Sequence, residues 1–310
     1  MAPGALGSGT DAASVRRFYK THDGFHDPLT LSQAMLLLDL ALSKEFAPDV
    51  CTNGPLDWNP IGSAGAFSAF CGILAGFVFS GVVMIIGQQN PMGGDGHASR
   101  GLRLLMPSFF GLAVTSYLYS VVTGELVCRR ALVEQLFVGG VLAANAVVVI
   151  AALAWLFLAY GRNSDGEVRF LRGLVLVSAI FAMFMLATSS VGFHNAWTDR
   201  KAAGWADRMV WGSFVVLLGV TVVSWRKPVP PVPAANILGW PYDILNKRVN
   251  FSAWLNLLTS AGLAGFSGYF VGTPYDELNY PRWEIYAMSE GALIVPAVVI
   301  MSVLWALPRE

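Results

Sequence analysis

The sequence predicts an all-α fold: a polytopic transmembrane helix bundle of about seven spans, with an N-terminal amphipathic helix lying on the membrane surface. Three observations carry this. Hydrophobic residues make up 55% of the chain and charged residues only 13%, against about 25% charged in soluble domains, and the mean hydropathy is +0.56. The apolar residues are gathered into long runs, each near the roughly 20 residues that a helix needs to cross a bilayer. Tryptophans stand at the edges of several runs, as in the interfacial belts of membrane proteins.

The run from Gly62 to Gly87 is the clearest, since it contains no charge. Ala64, Ser68, Gly72, Gly76 and Ser80 recur at every fourth position and so share one helical face. A face so bare lets another helix approach closely, the usual contact between membrane helices. The expectation is a first span acting as a central packing helix. Six further runs follow at about 104–123, 136–160, 170–192, 209–225, 253–272 and 285–307. Trp211 and Trp225 flank the fifth, Trp254 opens the sixth, and Trp283 and Trp305 bracket the seventh.

The segments outside these spans are short. Residues 1–27 are rich in Gly, Ser, Ala and Asp and read as a flexible tail, without the apolar core of a secretory signal. Residues 28–61 read as an amphipathic helix from Thr30 to Phe46, interrupted by Asp39, followed by a Pro-, Gly- and Asn-containing loop. The bundle then occupies 62–307 and a short tail 308–310. The connection 226–252 opens with RKPVPPVP, which favours an extended polyproline spacer. Lys and Arg are slightly more numerous on the side bearing Arg100, Arg103, Arg169, Arg172, Arg226 and Arg248, placing the C-terminus on the cytoplasmic-equivalent side.

Composition also limits function. With 20 basic and 20 acidic residues the net charge is +0, so no excess positive charge is available to neutralise nucleic-acid phosphates. The pair His22 and His26 is separated by Gly24 and followed by Pro28, a poor setting for a helical metal site. Histidine ligands within spans are lacking apart from His194 at a span's end, so neither a metal nor another cofactor is expected. No nucleophile elbow, P-loop or dinucleotide fingerprint occurs. The polar stretch His194 to Arg200 reads as a loop with Trp197 as anchor, and the chain is expected not to be an enzyme.

Polar residues within spans are few. Glu290 lies near the start of the seventh run, and the uncharged Asn145 and Asn256 lie deeper. These three are the candidates for a transport path, because polar groups at depth mark ion or substrate routes. Cys51 and Cys128 fall in connections on the same side and are either a disulfide or two free thiols, while Cys71 sits inside the first span. The sixth run carries its own small face of Ser260, Ala264, Gly268 and Gly272. It also repeats the Leu-Ala-Gly-Phe of positions 74–77 at 263–266, with Pro107 and Pro296 at equal separation beyond, so the two helices are expected to be packing helices. Two roles emerge: a membrane subunit whose helices pack and assemble with other subunits or further copies, or a channel or transporter for a small solute. The lipid bilayer is a partner in either case.

Overall fold

The computed structural model describes residues 59–87, 95–125, 128–160, 165–197, 200–226, 240–272 and 281–307. The chain divides into two units, Met1–Pro48 and Asp49–Glu310, and every described residue belongs to the second. The expected surface helix, the tail 1–27 and the tail 308–310 lie outside the described residues. Among the described residues all regular structure is helical: α1 Pro60–Gly87, α2 Asp95–Thr123, α3 Cys128–Tyr160, α4 Asp165–Trp197, α5 Arg200–Arg226, α6 Trp240–Gly272 and α7 Arg282–Trp305. The chain is a helical membrane bundle in which six of these helices are long and apolar enough to span.

Each expected span coincides with a helix, but the helices begin earlier than the apolar runs. At α1 the cause is capping: the Asn59 side chain accepts from the backbone of Ile61 at 3.0 Å and Gly62 at 3.1 Å, and Pro60 takes the first helical position, where no N–H is needed. At α2, α3 and α6 the helix carries its charged first turns, with Arg100, Arg130 and Lys247, beyond the apolar stretch.

The helix that is not apolar enough is α6, expected at 253–272 as the sixth span. Its inward face explains this. Ser252, Asn256, Ser260 and Ser267 are buried, at the register of one helical face, whereas Phe251, Trp254, Leu258 and Tyr269 are exposed. The polar residues that lower its hydropathy point into protein, while large apolar side chains occupy its outward face.

Nor is α1 central. It packs chiefly on α2, with a lesser contact to α3, and Phe70, Ile73, Phe77 and Met84 are exposed. The middle of the bundle is α3, which packs on α1, α2, α4, α6 and α7. Trp155, Val148, Ala151 and Val141 of α3 are all fully or nearly fully buried. The α1 and α6 helices both lie against α2, which separates the roles assigned to them from the repeated motif.

The closest helix approaches are made by glycines other than those of α1. A Cβ at Gly101 would come within 2.8 Å of the Leu156 side chain and 3.2 Å of the Ala152 carbonyl. One at Gly140 would lie 2.9 Å from Pro296 and 3.4 Å from the Ala292 carbonyl oxygen. That oxygen is the acceptor whose helical donor Pro296 removes, so Gly140 admits α7 where the α7 ladder is incomplete. Replacement of Gly140 by Val should overpack this contact and destabilise the bundle by about 1–3 kcal/mol. Thermal unfolding in detergent should show a lowered Tm for Gly140→Val and an unchanged one for Gly81→Ala, which faces open space.

Candidate functional site

Where α2, α3 and α6 meet, polar side chains from all three turn inward. Asn145 of α3 and Asn256 of α6 are both fully buried. Asn256 Nδ2 donates to Asn145 Oδ1 at 2.9 Å, and Asn145 Nδ2 donates to the Val141 carbonyl at 2.8 Å and to Ser260 Oγ at 3.2 Å. The Asn145 amide lies directly on the backbone of Gly111 in α2, where an added Cβ would overlap its Oδ1, Nδ2 and Cγ atoms. Sequence reasoning put Asn145 and Asn256 among the polar candidates and Ser260 among the packing residues. The structure brings the three together.

The same faces continue in both directions. On α2, Leu104, Ser108, Gly111 and Thr115 share a register and are buried. Ser108 Oγ donates to the Leu104 carbonyl at 2.8 Å and Thr115 Oγ1 to that of Gly111 at 2.7 Å. Ser252 likewise donates to Arg248. Each hydroxyl has thus spent its hydrogen on its own helix and keeps lone pairs to offer. Asn256 Oδ1 is buried with no hydrogen-bond partner among the described residues. The seam is therefore rich in acceptors. From Asn246 to Ser267, α6 rises roughly 30 Å at 1.5 Å per residue, about the thickness of the hydrocarbon layer.

At one end of the seam stands Arg100, only 1% exposed. Its Nε donates to Asn246 Oδ1 at 2.9 Å, and its guanidinium lies 5.2 Å from the Trp155 ring centre. The His97 ring also stacks on Trp155, with ring centres 5.4 Å apart. Nearby, Arg103 donates to Asn250 at 2.9 Å and Arg248 lies over the Trp305 ring at 4.2 Å. Arg100 had been read only as a topological charge in a connection.

The opposite end is acidic. Glu134 is 1% exposed and on the register of Val138, Val141 and Asn145. Glu125 is close enough to act on it electrostatically, neither Glu134 oxygen has a hydrogen-bond partner among the described residues, and Glu125 Oε2 lies 3.6 Å from Arg130 Nη1. Sequence reasoning missed Glu134 because the third apolar run was taken to start at 136. The signal was there: counting back from Asn145 in steps of four, three and four reaches Glu134.

The remaining candidates are dispersed. Ala64 is buried in the α1–α2 contact, and Ser68 and Ser116 donate reciprocally to one another's carbonyls at 2.8 Å. Gly72 sits against Ser116 Oγ, at 3.2 Å from a would-be Cβ. Gly76 and Ser80 turn outward: nothing lies within 4 Å of a Cβ at Gly76, and Ser80 donates to the Gly76 carbonyl. The buried face of α1 is Ala64, Cys71, Ala75, Val78 and Val82 instead. On α6, Ala264 is half-buried and Gly268 exposed; the side of the helix on which Gly272 falls lies outside the described burial.

Glu290 of α7 is half-buried, but both its carboxylate oxygens are enclosed with no hydrogen-bond partner among the described residues. One residue earlier, the Ser289 carbonyl accepts from Ser190 Oγ at 3.0 Å. His194, expected to open a polar loop, instead lies within α4 and is fully buried, stacked on Tyr286 at 5.0 Å. Cys71 is free and Cys128 is disulfide-bonded, while Cys51 lies outside the described residues, as do His22 and His26. Among the described residues, no group of three or more His, Cys, Asp or Glu is placed to hold a metal ion.

Burial holds the Glu125 carboxyl above its ordinary value of 4.5, against the partly offsetting influence of Arg130 and Glu134. The folded chain therefore binds a proton that the unfolded chain has released. Stability from this group is complete below pH 4.5 and is lost as pH rises through the elevated folded value. Tm measured against pH in detergent should fall over that window, and Glu125→Gln should flatten this part of the profile. Comparison with family models, curated proteins and solved structures finds no match to this chain.

Proposed function

We propose that this membrane bundle translocates a small hydrogen-bond-donating solute along the α2–α3–α6 seam. The supporting observation is the inward polar face of α6, on which Asn256 and Ser260 join Asn145 in a fully buried network. Interhelical hydrogen bonds in membranes contribute only about 1 kcal/mol each, so packing alone is weak compensation for a helix too polar to qualify as a span. Acceptors left open along its length suit a solute that brings donors. Glu290, with both oxygens enclosed and unbonded, lies on α7 and belongs to this route only as a flanking group.

Purified chain in liposomes tests the reading. Proton entry followed by an enclosed dye, and swelling in ammonium or glycerol gradients, should exceed the rate in empty vesicles for at least one probe. Asn256→Leu should reduce that flux at least tenfold, and Ser80→Ala on the outward face should leave it unchanged. No flux above empty vesicles for any probe rejects the proposal.

A second role, as a subunit assembled with other membrane subunits or further copies of itself, rests on the bare outward faces. Gly76, Gly265 and Gly268 are exposed with nothing within 4 Å of a Cβ, leaving backbone open to another helix. On this reading Gly76→Leu should abolish co-purification of partners or convert an oligomer to monomers on native gels, with Tm unchanged.

A further inference from the structure

We propose that the cationic end of the bundle binds an anionic phospholipid, with its phosphate at Arg103 of α2 and Lys247 of α6 and its acyl chains along the outward faces of the same two helices. This does not depend on the translocation reading. Charge is unevenly divided between the two ends. Leaving aside the segment before α1, the stretches 88–103, 161–172, 226–250 and 306–310 at this end carry ten Lys and Arg against five Asp and Glu. The stretches 124–134, 194–210 and 273–290 at the opposite end carry six against eight.

Two of the cations stand together on the surface. Arg103 and Lys247 are both exposed. Arg103 Nη1 donates to Asn250 Oδ1 at 2.9 Å, and Lys247 and Asn250, three apart on α6, are surface neighbours. Asn250 is a neutral amide, so this bond orients the guanidinium without neutralising it. A planar guanidinium held in place beside an ammonium suits the oxygens of a phosphate.

Each cation heads an apolar stripe. On α6, Lys247, Phe251, Trp254 and Leu258 fall on one helical face, and all four are exposed. On α2, Arg103, Met106 and Phe110 do the same. From Arg103 to the end of α2 at Thr123 the helix rises roughly 30 Å, about the hydrocarbon thickness, so Arg103 stands at the headgroup boundary. The Trp254 indole, a turn further in and 63% exposed, occupies the interfacial level that tryptophan favours. A charged head and long apolar tails match this order of side chains. A soluble anion would use the cations and leave the stripes bare, and a zwitterionic lipid would bring its own ammonium against the positive surplus.

Electron spin resonance of the full chain in phosphatidylcholine vesicles tests this, with a trace of spin-labelled lipid as probe. Labelled phosphatidylglycerol should be immobilised at the protein at least fivefold in preference to labelled phosphatidylcholine, and high salt should shrink the preference. Arg103→Gln combined with Lys247→Gln should bring the ratio close to one. Arg208→Gln, exposed at the opposite end, should leave it unchanged. Equal immobilisation of the two lipids by wild type overturns the proposal even if the double variant misfolds, and so does a preference that survives the double variant. Loss of the preference in millimolar inorganic phosphate at constant ionic strength assigns the cations to a soluble anion and overturns the lipid as occupant.

Discussion

Within hydrocarbon a side-chain amide has no water to turn to, so it must find its partners inside the protein. Asn145 does so in the middle of the bundle, and the surrounding architecture follows from that requirement. Its oxygen accepts from Asn256, its nitrogen donates to Val141 and Ser260, and its bulk rests on the bare backbone at Gly111. Three helices are tied at one point, and their registers are set there. A turn or two away in either direction the same faces remain polar. At the ends they finish in ionisable side chains: Arg100 with Asn246 on one side, Glu134 near Glu125 on the other.

The two ends differ in kind. At the cationic end guanidinium groups lie over indole rings, Arg100 over Trp155 and Arg248 over Trp305, an arrangement that keeps delocalised charge beside apolar surface at little cost. At the acidic end Glu125 lies beside Arg130, and the Glu134 carboxyl is enclosed with no hydrogen-bond partner among the described residues. Fixed positive charge at one end and acidic side chains at the other make the seam electrically asymmetric along its length.

Much of the bundle was legible because its signals are local. Long uncharged runs report helices directly: six of the seven expected ranges fall within helices, and the seventh overruns its helix by two residues. Which helix occupies the centre was not legible. The four-residue stripe in α1 suggested close approach, yet Gly76 and Ser80 turn away from protein while Gly101, Gly111 and Gly140, outside any obvious stripe, admit neighbouring helices. A glycine's use depends on what lies opposite, which is a property of another segment. Asn145 and Asn256 stood out by polarity alone. Glu134 did not, because hydropathy located the edge of the apolar run and the helix starts eight residues earlier, at Cys128. The same limitation hid Arg100, and it made His194 look like loop when it lies in α4.

The outward apolar and inward polar faces of α6 bear on how the chain reaches its final state during synthesis. A helix of such composition leaving the ribosome has little tendency to partition into lipid by itself. Its Asn and Ser groups become tolerable only once α2 and α3, made earlier, are present to receive them. The composition of α6 therefore ties its burial to helices that precede it in the chain.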